Sequence, residues 1–352
     1  MSCGESPAVR KRPGDELRLD TEGPDEFVSP SSPIVVLDSG LGGLTVVRAL
    51  RAALPEEDLL YFGDTARLPY GSKTADTVST FVRQIIHYLR PHDPKHVVIA
   101  CNTATALALP AVRAAFPGLS VSGVIDPGAK AAVVAAGSKP APVIGVIATE
   151  ATARARAYER AIHRRRLHAR VLTKATPLLV PVIEEGRGED DPLVRLALKQ
   201  YLLPLVQHGI EVLVLGCTHY PVLKPLIAKM LGPKVRVIDS AEQSAQDVVR
   251  RLTTTGLLRG SAGPVAPGLA KVAAALAAQA DELGGPSGRS SPRWGGRGTL
   301  RCFVTDDPPR FAKLASRLLG FEVATPTLVC PDDLYRLPVA LDNAPAAETI
   351  SA

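Results

Sequence analysis

Short apolar runs, each followed by an amphipathic stretch of helix length, constrain the fold of this chain more than any other feature of its sequence. The clearest runs are rich in Val, Ile and Leu and lie at residues 34–37, 96–100, 143–148, 211–216 and 235–239. Continuous runs of this kind are typical of strands that are buried on both faces of a parallel sheet. Since 352 residues exceed the usual size of one domain, the alternation predicts an α/β fold with two doubly wound domains and mainly parallel sheets.

Two segments lack this alternation of strands and helices. Residues 1–30 are rich in Pro, Ser, Gly and charged side chains, which predicts a disordered N-terminal extension. Residues 256–298 contain two stretches rich in Gly, Pro and Ser, so we interpret them as a linker around one short helix at 269–283.

Regular structure is expected to resume after the linker with a strand and a helix. Asp307 is a suitable helix N-cap, Pro308 fits the first turn, and Gly320 is a typical residue for a helix end. Residues 331–352 are predicted to be a frayed C-terminal tail.

Composition and charge argue against several classes of protein. The five cysteines are odd in number and far apart, which is unlike a secreted disulfide scaffold. The sequence contains no C-x-x-C pair of the kind that binds a metal ion. No apolar run approaches the roughly 18–20 residues that cross a bilayer, so we expect a cytoplasmic protein without a membrane partner. The net charge of +6 is concentrated at 153–170. No nucleic-acid recognition motif accompanies this run, which favours a solvated helix face over nucleic-acid binding.

The residues that carry chemistry stand where strands give way to helices. In doubly wound sheets, ligands bind beyond the carboxyl ends of the strands, close to helix N-termini. Three such junctions carry reactive or polar side chains: Asp38-Ser39-Gly40, Cys101-Asn102-Thr103 and Cys217-Thr218-His219. The two cysteine junctions resemble each other, which suggests two related halves.

Taken singly, each of these residues has a purely structural interpretation. A free cysteine between a strand and a helix is usually a small buried hydrophobic residue. The Ser, Thr, Asn and Asp residues at the junctions would serve equally well as helix N-caps, and His219 as a hydrogen-bonded structural residue. The functional hypothesis therefore rests on the coincidence of three equivalent junctions, two of them with thiols.

The glycine loop at residues 40–43 follows the first strand. It lacks the spacing of a dinucleotide-binding fingerprint and the Lys-Ser/Thr pair of a phosphate loop. Its glycines allow positive φ angles and the close approach of a ligand to the backbone. The loop is therefore suited to a small anion such as a carboxylate, and it argues against ATP.

Two thiols suit the inversion of a stereocentre by proton transfer. Such a reaction needs a base on one face of the carbon and an acid on the other. A free thiol has a pKa of about 8.5, which a helix N-terminus lowers, and both Cys101 and Cys217 are predicted to lie at such termini. Asp38 is the candidate partner of Cys101, and His219 that of Cys217. A cofactor-independent racemase is therefore the leading hypothesis.

Several motifs, in this order, resemble the glutamate racemase family: IVVLDSGLGGLTVVRAL, YFGDTARLPYGSK, VVIACNTATA, VIDPGA, VPVIEEG, LVLGCTHYPVL and TDDPPRFAKLASRLLG. The resemblance implies an active site in a cleft between two α/β domains, formed by residues 31–125 with 238–330 and by 126–237. It also implies that L- and D-glutamate are interconverted without a cofactor, which supplies D-glutamate for peptidoglycan.

The resemblance also assigns roles to individual residues of this sequence. It implies that Cys101 and Cys217 transfer the protons and that Asp38, Glu184 and His219 assist them. Glu185 is adjacent to Glu184, so the acidic residue is uncertain by one position. The implied substrate contacts are Asp38, Ser39, Tyr70, Gly71, Asn102, Thr103, Thr218 and His219.

Other hypotheses remain open at this stage. A related two-cysteine racemase or isomerase would act on aspartate or another small acidic substrate. A thiol hydrolase would use Cys217 and His219, although their separation by two residues on a turn makes the usual approach of nucleophile and base doubtful. A binding protein with inert thiols is the third alternative. The sequence does not reveal the oligomeric state, for which a homodimer is one option.

Overall fold

The apolar runs of the sequence form the strands of two parallel sheets. The computed structural model describes residues 28–260 and 297–337. Within these residues, sheet A has the strand order β10–β9–β2–β1–β3–β4, with Ile34–Asp38 (β1), Leu59–Gly63 (β2), His96–Ile99 (β3), Val121–Gly123 (β4), Leu300–Val304 (β9) and Thr327–Leu328 (β10). Sheet B has the order β6–β5–β7–β8, with Val143–Ala148 (β5), Arg170–Ala175 (β6), Val212–Gly216 (β7) and Arg236–Ile238 (β8).

Helices cover both faces of each sheet. Those that pack on sheet A are Leu44–Ala53 (α1), Ala75–Leu89 (α2), Asn102–Ala115 (α3), Ala241–Thr254 (α10), Pro308–Leu319 (α11) and Pro331–Tyr335 (α12). Those that pack on sheet B are Ile125–Ala135 (α4), Ala157–His163 (α6), Leu179–Glu184 (α7), Pro192–Gln207 (α8) and Lys224–Leu231 (α9). The short helix α5, Glu150–Arg154, contacts α3 and so lies where the two halves meet.

Alternation along the central strands explains why each sheet has two apolar cores. Ile34 and Val36 of β1 enter a core with α1 and α10, whereas Val35 and Leu37 enter a core with α2 and α3. All four side chains are essentially inaccessible to solvent. A strand buried on both faces needs apolar residues at successive positions, which is why the run at 34–37 lacks the polar alternation of a half-exposed strand.

The chain passes from one sheet to the other and back again. Strands β1–β4 belong to sheet A, β5–β8 to sheet B, and β9 and β10 to sheet A again. The α/β class with parallel sheets that we predicted is confirmed. We propose that the domain boundaries lie near residues 125 and 238, where the chain crosses between the sheets.

The sequence signals for the helix α11 are confirmed, whereas those for the C-terminus are not. The side chain of Asp307 caps this helix by accepting from the backbone N–H of Arg310, and Gly320 ends it in the left-handed conformation. The predicted frayed tail instead begins with the helix α12, whose Leu334 is fully buried against the core that contains α2. Leu334 anchors this segment, and Leu337 packs against the same core. The remainder of the predicted tail, residues 338–352, lies outside the described residues.

Much of the predicted N-terminal extension and linker, with the expected helix at 269–283, lies outside the described residues. The two described ends of the linker are held against the loop before β2. Arg259 donates to the carbonyl oxygen atoms of Glu56 and Ser31, and the N–H of Gly298 donates to that of Pro55. No helix among residues 28–260 and 297–337 has the length and apolar character needed to cross a bilayer.

The stability of the fold is expected to fall as the pH is lowered, because of His96. Its ring nitrogens lie 2.8 Å from Ser120 Oγ and 2.8 Å from Ser122 Oγ. Burial, together with the positive charge of Arg251, lowers the pKa of His96 to about 3. Between that value and the ordinary pKa of about 6.5, the unfolded chain binds a proton that the folded chain does not.

We therefore expect this group to remove about 2 kcal/mol from the free energy of unfolding between pH 7 and pH 5. Urea denaturation at both pH values should show a smaller loss for His96→Gln than for the unsubstituted chain. Equal losses in the two proteins would contradict the assignment.

Candidate active site

Strand ends from both sheets surround a cavity. The junctions after β1, β3, β5 and β7 all contribute to its wall. The lining residues are Ser39, Leu68, Pro69, Tyr70, Gly71, Cys101, Asn102, Thr103, Thr149, Val180, Glu184, Cys217, Thr218 and His219. Apart from Asp38, which hydrogen-bonds to Thr218, this list contains every residue that the sequence predicted for the site. Their roles stay predictions, but their assembly at one edge is observed.

Cys101 lies at the N-terminus of α3, as predicted. Its sulfur accepts a hydrogen bond from the backbone N–H of Ala104 at 3.5 Å, and Ser39 Oγ lies 3.7 Å away. Burial raises the pKa of this thiol to about 12, and the charge of Asp38 acts in the same direction. The Ala104 N–H at the helix N-terminus does lower the pKa of Cys101, but the expected net lowering is wrong, because desolvation and Asp38 outweigh the two hydrogen bonds.

The surroundings of Cys217 differ from the predicted strand-to-helix junction. A turn follows β7, then a 3₁₀ segment at Tyr220–Leu223, and α9 begins only at Lys224. Pro221 and Pro225 have no N–H, so the α-helical bonds to the carbonyl groups of residues 217 and 221 cannot form. The prediction that Cys217 stands directly at a helix N-terminus is wrong for this reason.

His219 provides the polar contact that Cys217 lacks at a helix end. Its Nδ1 lies 3.6 Å from Cys217 Sγ, and its Nε2 lies 3.0 Å from Glu184 Oε1. Two residues on a turn are not expected to approach in this way, but the tight turn folds the imidazole back toward the sulfur. Glu184, the last residue of α7, completes a row of three groups, in which Cys217 and His219 are buried and Glu184 is partly exposed.

The electrostatics of this row favour a protonated imidazole. Burial by itself lowers the pKa of His219. The contacts with Cys217 and Glu184 and the charge of Asp38 outweigh burial, so the pKa of His219 lies well above its ordinary value. With both ring nitrogens facing an acceptor, the imidazolium is the form that matches its surroundings.

The structure distinguishes between the two neighbouring glutamates. Glu184 lines the cavity and contacts His219. The side chain of Glu185 is exposed and pairs with Arg187 at 2.7 Å. Geometry therefore places Glu184, and not Glu185, at the site.

Asp38 and the glycine loop connect the two halves beside the cavity. The Asp38 carboxylate accepts from Thr218 Oγ1 at 3.3 Å and from the backbone N–H of Gly40 at 3.1 Å. Burial raises the pKa of Asp38, although the charge of His219 and several hydrogen bonds oppose that effect. A Cβ at Gly42 would lie 2.4 Å from Thr218 Oγ1. The loop therefore needs Gly42 for close packing across the interface, and not for a positive φ angle.

The Tyr70–Ser72 segment is a 3₁₀ turn that forms another part of the wall. The Tyr70 hydroxyl donates to the buried carboxylate of Asp64, which also accepts from Arg67 and Thr305. A Cβ at Gly71 would lie 2.8 Å from Thr149 Cβ, so this position has no room for a side chain. Because Asp64 binds the hydroxyl, Tyr70 lines the cavity mainly through its ring and backbone.

Sequence reasoning missed Thr149, which follows β5. Its Oγ1 lies 2.9 Å from Thr103 Oγ1 and 3.0 Å from Thr152 Oγ1, which joins the two halves through hydroxyl groups. The signal was present, since Thr149 ends a buried strand at the same edge as the two cysteines. Its place was overlooked because a threonine before a helix is also an ordinary N-cap, a role that it fills for α5.

The described residues contain no group of three or more His, Cys, Asp or Glu side chains arranged to hold a metal ion. The polar groups around the cavity are instead thiols, hydroxyls, one carboxamide, one carboxylate and one imidazole. Such a set can move protons and can donate hydrogen bonds to a small anionic molecule.

Comparison with known proteins identifies the family of the chain. The model of a family described as Asp/Glu/Hydantoin racemase matches residues 44–248, which is more than half of the chain and includes both cavity cysteines. The chain belongs to this racemase family. The racemase is 48% identical over 233 residues to the glutamate racemase of Neisseria meningitidis serogroup A, covering 66% of this chain and 84% of that protein.

Solved structures are similar to the racemase as well. A glutamate racemase isoform from Bacillus anthracis has a TM-score of 0.70 and 35% identity, covering 85% of this chain and 97% of the other. The glutamate racemase of Francisella tularensis, solved in complex with D-glutamate, has a TM-score of 0.69 and 31% identity, covering 86% and 99%. The family resemblance seen in the motifs is thus confirmed, and the chain is an amino-acid racemase, an isomerase with the two-domain racemase fold.

Proposed function

We propose that this racemase interconverts L- and D-glutamate by a two-base mechanism in which Cys101 and Cys217 transfer the protons. The placement of the two buried thiols carries the proposal, because they line one cavity from different sheets. In each direction, one thiolate removes the Cα proton while the thiol on the opposite face supplies a proton to the same carbon. One C–H bond breaks and another forms, so no oxidant or reductant is needed.

The two sulfurs have different surroundings in the free enzyme. Cys101 is buried near the carboxylate of Asp38, which raises its pKa and favours the thiol. Cys217 faces Nδ1 of His219, whose protonated ring would donate to a thiolate. An acid on one side and a base on the other are what inversion requires. In the reverse direction, Cys101 and Cys217 exchange the roles of acid and base.

The polar lining supports an amino-acid substrate with two carboxylates. The hydroxyl groups of Ser39, Thr103 and Thr218 and the carboxamide of Asn102 reach the cavity from both halves. Hydrogen bonds from such groups to a carboxylate are charge-assisted and therefore strong.

Glutamate is the substrate that the relatives favour. The Neisseria protein at 48% identity is a glutamate racemase, and the Francisella structure holds D-glutamate. The role that follows is the cytoplasmic supply of D-glutamate for peptidoglycan. Aspartate is the alternative substrate, since it carries the same charged groups on a shorter chain.

A chiral assay on purified protein tests the substrate directly. L-Glutamate and L-aspartate are supplied separately without added cofactor, and the D-enantiomers are quantified by chiral chromatography. We expect glutamate to react at least about tenfold faster in kcat/KM, because one methylene changes discrimination by about 10–200-fold. Faster turnover of aspartate would overturn the choice of glutamate. Turnover of neither amino acid would overturn the proposed function.

A further inference from the structure

Tyr158 touches both thiol junctions, although it lies outside the cavity wall. It belongs to α6 and is buried, with 2% of its surface exposed. Its ring packs against Gly216, the residue before Cys217, where an added Cβ would meet the ring at 3.1 Å. Its hydroxyl donates to Oδ1 of Asn102, the residue after Cys101, at 2.7 Å. One side chain therefore links the two junctions that carry the sulfurs.

The Asn102 carboxamide has one satisfied end and one free end. Tyr158 occupies Oδ1, whereas Nδ2 is buried without a hydrogen-bond partner among the described residues. A buried donor without a partner is costly and is rare in folded proteins. Because Asn102 lines the cavity, a ligand acceptor there would satisfy Nδ2.

The two ends of a carboxamide are nearly alike in shape, so something must select the orientation. If the amide were rotated by half a turn, Nδ2 would face the Tyr158 hydroxyl and Oδ1 would face the cavity. An oxygen in that place would repel a carboxylate rather than bind it. In the structure the Tyr158 hydroxyl donates to Oδ1, which leaves Nδ2 without a protein partner among the described residues. Burial raises the pKa of Tyr158, so the phenol that makes this bond stays protonated.

We propose that Tyr158 is a positioning residue for substrate binding: its hydroxyl holds the Asn102 carboxamide so that Nδ2 donates to a carboxylate of the substrate. This inference rests on the proposed function, since it takes an amino-acid carboxylate as the acceptor. Gly128 and Gly216 leave the space that the ring requires, and a Cβ at Gly128 would lie 3.2 Å from the Tyr158 hydroxyl oxygen.

The test measures kcat and KM for both glutamate enantiomers in Tyr158→Phe, Asn102→Ala and the double variant. Tyr158→Phe should raise KM about tenfold, the loss expected of one charge-assisted hydrogen bond, and should change kcat by less than about threefold. The double variant should be no worse than Asn102→Ala alone, because Tyr158 acts through Asn102. Gly128→Ala, which crowds the hydroxyl without removing it, should raise KM by a smaller factor.

Tyr201→Phe is the matched control. Tyr201 is another buried tyrosine of the sheet B half, and its hydroxyl accepts from the backbone N–H of Leu178. Its removal should leave KM unchanged, and thermal unfolding of every variant gives the stability change separately. An unchanged KM in Tyr158→Phe, or independent effects of Tyr158 and Asn102 in the double variant, would overturn the positioning role. An unsubstituted enzyme without glutamate turnover would instead overturn the proposed function.

Discussion

Single replacement of Cys101 or Cys217 by serine is expected to lower the rate of racemisation by about 10³-fold, the usual size of a lost acid–base group. A serine hydroxyl is a far weaker acid than a thiol and does not ionise near neutral pH. Each variant keeps one sulfur and therefore one half of the proton transfer. Polarimetry or chiral chromatography of glutamate measures the rate for both enantiomers.

The incorporation of solvent deuterium at the glutamate Cα is a second measurement on the same variants. The remaining thiol can still reach the Cα proton from its own side, so residual exchange should favour opposite enantiomers in the two variants. Cys302→Ser is the matched control, since that thiol is also buried and free but does not line the cavity. Full turnover in either cavity-cysteine variant would refute the two-base mechanism.

His219→Asn is expected to lower kcat by about 10²-fold, because the imidazolium that would stabilise the Cys217 thiolate is lost. In the unsubstituted enzyme, the pKa of His219 is raised, so the imidazolium persists at neutral pH and is lost as the pH rises through that raised value. The kcat/KM profile should therefore fall on its alkaline side. Initial rates across a pH series measure this limb.

Glu184→Gln gives a graded version of the same experiment. The Glu184 carboxylate is one of the groups that raise the pKa of His219, so its neutral replacement should move the alkaline fall to lower pH. Glu185→Gln is the matched control, because that side chain is exposed and pairs with Arg187. If the Glu185 variant moved the profile and the Glu184 variant did not, the geometric assignment would be wrong.

Much of the fold could be predicted because buried parallel strands leave a local mark on sequence. The run at 143–148 was predicted with the bounds that β5 has in the structure, since each of its residues faces an apolar core or a neighbouring strand. The helix α12 could not be predicted in the same way. Its anchor is one buried leucine, Leu334, and a single apolar residue has no periodicity to read.

The candidate site shows the same division between local and distant information. The thiols were found because both follow buried strands, and strand ends are where ligands bind in this class of sheet. The raised pKa of Cys101 could not be predicted, since it depends on the burial of the thiol and on Asp38, which is 63 positions away along the chain. Tyr158 gave no signal at all, because a tyrosine on an amphipathic helix is most often part of a core.

The amino-acid sequence alone determined the α/β class, the strand ends that carry chemistry, and the pairing of two cysteine junctions. Each of these follows from residues that are adjacent in the chain. Only the tertiary structure decided which glutamate meets His219, that Thr149 joins the wall, and that Tyr158 spans both junctions. These depend on how two sheets face each other, and the packing that sets their distance involves residues far apart in the chain. Burial, and the desolvation that changes acidity, exists only after that packing.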